Sequence, residues 1–376
     1  MLDVDGCALK FAIVTGNDLT GFRRSLLRWY SNHGRDLPWR RTNDPYAIMV
    51  SEVMLQQTQV SAVVPFYESW LKRFPTFHSL AAASENDVLH AWQGLGYYRR
   101  ARNLHGAAKL VVRQYCGVLP SDPKLIRQLR GMGRYTSNAV ATFAFNRSLP
   151  IVEANITRVL TRLFNINLPI DSAAGSAQLW KTATALVPGR NARKFNSALM
   201  DLGAVVCRKT PNCQACPVQT SCRAPTPALL PVKRPRPNLK LLTEPHSFSI
   251  NRGRILLQQC TGRWRGMWML PPERVNARDG KEAIYESVFP FTNHRITLRV
   301  FRNSCSRQSD AHIGKRRPHV AAAAKPVATL LATARPAVRW FPIAQLKTIP
   351  VPSPHRRALA ACLSLDAEGS RLNVKP

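Results

Sequence analysis

Four cysteines within sixteen residues, Cys207, Cys213, Cys216 and Cys222, constrain this chain more than any other feature. Their spacing is C-x5-C-x2-C-x5-C, and they follow a run whose apolar residues Phe195, Leu199, Leu202 and Val206 fall at helical spacing. Four thiolates so close together can wrap a 4Fe–4S cluster or a tetrahedral zinc ion. Zinc sites generally use separated C-x2-C knuckles, and only one close pair occurs here. The spacing therefore favours iron–sulfur and leaves zinc as the lesser occupant. Cys7, Cys116, Cys260, Cys305 and Cys362 are scattered and read as ordinary core or surface thiols.

The formal charge of +33 is carried by both halves of the chain. Residues 1–225 hold 28 Lys+Arg against 13 Asp+Glu, or +15, and residues 226–376 hold 26 against 8, or +18. Such an excess points to a polyanion, most simply nucleic acid. No basic amphipathic helix of the interfacial kind stands out, so a membrane surface is not the expected partner. The longest apolar stretch, Val320–Val338, is broken by Lys325, Pro326, Arg335 and Pro336, too often for a membrane span. The first residues, Met-Leu-Asp-Val-Asp, lack the basic n-region of a secretory signal. A cytoplasmic, reducing setting is expected, in which nine cysteines do not form a disulfide framework.

Along the chain, residues 1–18 carry no pattern and read as a tail. Helical periodicity begins at Gly21 with Phe22, Leu26, Leu27 and Tyr30, and Asp44-Pro45 is a capped helix start. Further helices are expected near Val60–Phe74, Asp87–Trp92, Arg99–Tyr115, Pro123–Leu129 and Tyr135–Phe145. Residues 19–225 thus read as an all-α domain. The segment 226–246 is rich in Pro, Lys and Arg and reads as a linker. From 247 to 376 short β-like runs at Phe248–Ile250, Ile255–Gln259 and Ile296–Phe301, with a closing helix at Ser353–Leu363, indicate an α+β domain. Its segment 307–338 reads as a loop insertion.

Two carboxylates stand in apolar surroundings. Glu52 is the single charge between Ala47 and Leu55, and desolvation there would raise its pKa and make it a proton donor near neutrality. Glu153, in Ile151-Val152-Glu153-Ala154-Asn155-Ile156, falls at an expected helix N-terminus, where an anion is favoured. A protonated and an ionised carboxylate together are what glycosidic cleavage requires. Between them in sequence lies Leu129-Arg130-Gly131-Met132-Gly133-Arg134-Tyr135-Thr136, with helices expected on both sides. Its Gly-x-Gly turn brings backbone N–H groups and Arg134 to a helix start, a sequence-independent grip on a DNA phosphate.

These features together resemble the MutY-type adenine glycosylases of the helix-hairpin-helix superfamily. The matching strings are LPWR at 37–40, SEVMLQQTQV at 51–60, GLGYYRRARNLH at 94–105, GMGRYT at 131–136, FNSALMDLGAVVC at 195–207 and the cysteine tail. More loosely, RWRGMWMLPP at 263–272, FTNHRITL at 291–298 and RWFPIAQL at 339–346 resemble the family's Nudix-like recognition domain, without a Nudix hydrolase box. The resemblance implies a monomeric enzyme on double-stranded DNA that flips out and removes adenine mispaired with 8-oxoguanine or guanine. Glu52 would then be the general acid, and Glu153 the carboxylate facing the cationic sugar, with Tyr135 and Asn155 beside it. Trp39, Arg40 and Leu55 match adenine-pocket positions. Gln57, Thr58, Leu95 and Tyr97 match residues that enter the duplex, and Thr292 or Asn293 would read the opposite base. The four cysteines match the family's 4Fe–4S ligands.

Three positions depart from the family pattern. Glu153-Ala154-Asn155 stands where Asp-Gly-Asn is usual, the first cysteine gap is five residues instead of six, and Phe291-Thr292-Asn293 replaces a common Phe-Ser-His. Tyr135 stands where the endonuclease III branch has a Schiff-base lysine, which implies a monofunctional glycosylase. Two other readings stay open from the residues: a DNA lesion-binding protein without catalysis, and a glycosylase acting on another base such as thymine.

Overall fold

The computed structural model describes residues 16–235, 237–273, 282–303 and 336–372. They divide into two compact units, one from the stretches Met1–Ala83 and Arg102–Arg236, the other from Ser84–Ala101 and Pro237–Pro376.

The first unit is helical. Helix α1 (Gly16–His33) starts five residues before the expected Gly21, so the last residues of the supposed tail are helical. The remainder of the tail lies outside the described residues. Asp44 caps α2 (Pro45–Leu55) by accepting from the Tyr46 and Ala47 amides at 3.0 and 3.2 Å, with Pro45 in the first turn as expected. This helix is apolar all round rather than on one stripe, and Tyr46 to Met54 are all buried. It is followed by α3 (Val60–Arg73), α4 (Phe77–Ala82), which has no counterpart in the sequence reading, and α5 (Glu85–Ala91), which belongs to the second unit. Helix α6 (Arg99–Tyr115) has the bounds read from its periodicity.

Helices α7 (Pro123–Gln128) and α8 (Arg134–Phe145) flank the expected Gly-x-Gly turn. Gly131 has φ of +78°, and a Cβ there would meet the Asn103 side chain at 2.7 Å, so the turn requires glycine. The chain continues through α9 (Ala154–Leu163), α10 (Ala173–Leu186) and α11 (Ala192–Asp201), which runs into one π-helical turn at Leu202–Val206. A core of Leu26, Ile156, Leu160, Phe195, Leu199 and neighbours joins α1, α9, α10 and α11, and three of the four clustered cysteines pack at its edge.

The second unit adds β1 (Lys240–Phe248), β2 (Ile250–Asn251), β3 (Arg254–Gln259), β4 (Trp268–Met269), β5 (Tyr285–Phe291), β6 (His294–Arg302), β7 (Val338–Pro342) and α12 (Ser353–Leu372). One sheet has the order β1-β6-β5, with β1 parallel and β5 antiparallel to β6; in the other, β3 pairs with β2, β4 and β7. Strand β1 corrects the linker reading of 226–246. It starts at Lys240 and runs through Pro245, which an edge strand tolerates because no inward ladder bond needs its missing N–H. Most of the expected insertion at 307–338 lies outside the described residues; its last position, Val338, begins β7. Phe248, Leu257, Ile296, Leu298 and Val300 form a core with Ala358, Leu359 and Cys362 of α12.

Candidate active site

Helix α2 delivers Glu52 to the floor of a cavity of about 540 Å³ in the helical unit. Its walls include Trp39 and Arg40 of the Pro38–Arg40 turn, Leu55 at the end of α2 with Gln57 and Thr58 just beyond it, Tyr135 of α8, and Glu153 and Asn155 at the start of α9. Four stretches far apart in sequence, from Trp39 to Asn155, are thus brought to one hollow. Trp39 is held edge-on to Tyr67, their ring centres 5.4 Å apart.

Glu52 is only 3% exposed and accepts a hydrogen bond from the Tyr135 hydroxyl at 2.7 Å. Burial pushes its carboxyl up from 4.5 to about 7; nearby Glu153 adds to the rise, and the Tyr135 bond and Arg40 oppose it. Tyr135, half-buried beside two carboxyls, is held well above its usual pKa and stays a donor.

Glu153 is the N-cap of α9. Its two oxygens accept from the Asn155 and Ile156 amides, both at 2.7 Å. The longer side chain therefore reaches the same two amides that an Asp cap reaches, as Asp44 does on α2. Burial raises its pKa, against which the two amides, Arg158 and Arg35 favour the anion. The Asn155 Oδ1 accepts from Arg158 at 2.7 Å, and Arg158 also donates to the carbonyls of Gly203 and Cys207. That triangle needs the π-helical turn close against α9: a Cβ on Gly203 would lie 2.7 Å from the Asn155 Cβ and 2.8 Å from its carbonyl oxygen.

Arg40 lines the cavity, but its guanidinium is already engaged: it donates to both oxygens of Asp201 at 2.6 and 2.8 Å. Asp201 was passed over in the sequence reading, although it is a lone carboxylate in the apolar run from Ala198 to Val206, the very signal that marked Glu52. Gln56, Arg35 and Arg193 are further wall residues that the sequence did not single out.

Leu95, Tyr97, Thr292 and Asn293 belong to the second unit and do not line this cavity. Leu95 is buried, whereas Tyr97 is 51% exposed. Tyr97 and Thr292, like Gln57 at the cavity, hold left-handed backbone with φ of +47°, +53° and +59°. Non-glycine residues in that region are uncommon and concentrate at functional sites. In the hairpin between α7 and α8, Gly133 is an N-cap without a side-chain bond to the first amides of α8, and Arg134 stacks 3.8 Å from the centre of the Trp180 ring.

Cys207, Cys213, Cys216 and Cys222 line one small cavity of about 40 Å³ together with Val159, Leu163 and Val218. Among the described residues no three His, Cys, Asp or Glu side chains are grouped so as to hold a single metal ion. The buried Arg162 donates to the Cys207 Sγ at 3.2 Å and to the carbonyls of Arg208, Lys209 and Leu230. Burial pushes the Cys216 thiol up to about 11.

Residues 50–182 match the family described as HhH-GPD superfamily base excision DNA repair protein. The human protein named Adenine DNA glycosylase is 44% identical over 217 residues, which are 55% of this chain and 40% of the human one. Its namesake in Mycolicibacterium smegmatis is 44% identical over 200 residues, 53% of this chain and 67% of that protein. The chain spans less than two thirds of several such relatives, 58% for one from Buchnera aphidicola. A solved thermostable thymine-DNA glycosylase is 31% identical, with a TM-score of 0.51 over 56% of this chain and 97% of its own.

Proposed function

Because this chain belongs to the MutY-type adenine glycosylases of the helix-hairpin-helix base-excision repair superfamily, we propose that it hydrolyses the N-glycosidic bond of adenine mispaired with 8-oxoguanine or guanine in duplex DNA. The observation that carries the reading is the pair of carboxyls at one cavity, buried Glu52 protonatable near neutrality and half-buried Glu153 tied to a helix N-terminus. The cavity, bordered by Trp39, Arg40 and Leu55, takes the flipped adenine. Glu52 gives its proton to the base as the C1′–N9 bond breaks and the bonding pair leaves with adenine. The cation left at C1′ faces the Glu153 carboxylate, and water completes the hydrolysis. Tyr135 holds Glu52 in place, and with no lysine at that position the enzyme is a monofunctional glycosylase.

Gln57, Thr58 and Tyr97 enter the duplex, whereas Leu95, expected to join them, is only 6% exposed and is not offered to DNA; Thr292 and Asn293, in a Nudix-like domain from about residue 247, read the base opposite adenine. Gly131, Gly133 and Arg134 grip a backbone phosphate. The protein acts as a monomer, without a membrane, in the cytoplasm. Cys207, Cys213, Cys216 and Cys222 hold a 4Fe–4S cluster. Its support is the four thiols that line one small cavity beside the N–H donor of Arg162. When bound, the cluster supplies a cross-link that fixes the loop from 207 to 222. Purified protein should absorb broadly near about 400 nm; colourless protein with stoichiometric zinc would overturn the cluster.

The likeness to a thymine-DNA glycosylase favours a second reading, release of mispaired thymine. A single-turnover panel of 8-oxoguanine:adenine, guanine:adenine and guanine:thymine duplexes separates the two. We expect adenine release by wild type and none by Glu52→Gln. Thymine release alone selects the second reading. Tight binding with no release, reversed in Glu153→Asp, identifies a lesion-binding protein instead.

A further inference from the structure

Resting on the glycosylase reading, we propose that Asp201 is a positioning residue, which binds and neutralises Arg35 and Arg40 where they border the two carboxyls of the site. Asp201 is 0% exposed, and both of its oxygens are filled. Oδ2 accepts from the Arg35 amide at 2.8 Å and from Arg40 Nη1 at 2.6 Å; Oδ1 accepts from Arg35 Nε at 2.7 Å and Arg40 Nη2 at 2.8 Å. A carboxylate so saturated has little left to offer a flipped base. Burial alone would raise its pKa, but Arg40 and Arg35 hold it below the usual range, so it is a permanent anion. The residue acts through its partners.

Those partners are the cations of the cavity wall. Arg40 bears electrostatically on Glu52, and Arg35 on Glu153. Around Glu52 stand Tyr135 from α8, Glu153 from the cap of α9, Arg40 from the Pro38–Arg40 turn, and Arg35 and Arg193 on the wall. Arg193 donates to the Arg40 and Thr42 carbonyls, Tyr30 lies under the Arg40 guanidinium, and Arg158 faces Glu153. Asp201 is the anion that both Arg35 and Arg40 share. Without it they would stand uncompensated beside two carboxyls, favouring loss of the Glu52 proton, which the reaction needs. An opposite charge within about 4–6 Å lowers a carboxyl pKa by about one to three units, less when farther away.

The test is the carboxyl resonance of Glu52 in the full chain labelled with carboxyl-13C glutamate, assigned by its loss in Glu52→Gln. We expect titration near about 7 in wild type, a fall of about one unit in Asp201→Asn, and recovery in Asp201→Glu. Above that pH, adenine release by Asp201→Asn should be about tenfold slower, with a smaller deficit in acid. Adding Arg40→Gln to Asp201→Asn should return the resonance toward its wild-type midpoint. If Asp201→Asn does not fold, Arg40→Gln alone should raise the midpoint. An unmoved midpoint in Asp201→Asn or in Arg40→Gln overturns the proposal. The titration needs no substrate, so a chain that releases no adenine refutes the glycosylase reading without deciding this one.

Discussion

Replacing Glu52 with Gln should stabilise the protein in mild alkali while removing its activity. In the folded chain the carboxyl holds its proton up to about pH 7; unfolded, it lets go at 4.5. The folded state therefore binds the proton more tightly, and stability falls as pH rises from 4.5 to about 7, then levels. At roughly 1.4 kcal/mol per pH unit, that interval corresponds to about 3 kcal/mol. The Gln carbonyl can still accept the Tyr135 hydroxyl bond and nearly matches the volume of Glu, so little is lost in exchange. At about pH 8 the variant should be more stable by about 2–3 kcal/mol, a rise in Tm of about 4–10 °C for a domain of this size. At about pH 4.5 the two should melt nearly together. Thermal melts by circular dichroism at both pH values, with amide exchange along α2 as the local readout, measure the difference. An advantage of equal size at both pH values, or none at either, would refute the account of a buried, destabilising carboxylate.

Gly203→Ala drives a Cβ into the backbone of Asn155, which has no flexible end to yield. It should cost about 1–3 kcal/mol and slow adenine release by loosening the Arg158 bridge; an unchanged Tm would mean that α9 and the π-helical turn are not tightly opposed. Arg134→Gln, at the start of α8, should weaken binding to all duplexes alike and reduce the slope of log affinity against log salt by about one. A loss confined to one sequence would instead assign Arg134 to base reading.

How far the sequence could be read depended on how local each cause is. The start of α2 was legible because Asp44 and Pro45 act on amides within one turn. Its apolar run pointed to partial desolvation of Glu52, and the burial of every residue from Tyr46 to Met54 makes that desolvation complete. Glu153 was legible as a helix cap for the same reason. Strand β1 was hidden by Pro245 and the proline-rich stretch before it, since the edge position that excuses Pro245 is set by pairing with β6, more than fifty residues on. Asp201 was missed because its meaning depends on Arg35 and Arg40, which come 166 and 161 residues earlier. Arg40 itself was assigned from its motif to the adenine pocket; that its guanidinium is shared with Asp201 is a tertiary fact that no spacing announces.

Helix α2 has no free face, and that has a genetic corollary. Nine of its eleven residues, from Tyr46 to Met54, are buried, and the acid sits in the eighth place. On an amphipathic helix, mutation can erode the solvent side at little cost and leave chemistry and folding to separate positions. Here a missense change almost anywhere along the helix registers twice, as lost packing and as a displaced carboxyl. Variants in this segment should therefore fall into few grades, with partial-function alleles scarce and nulls common.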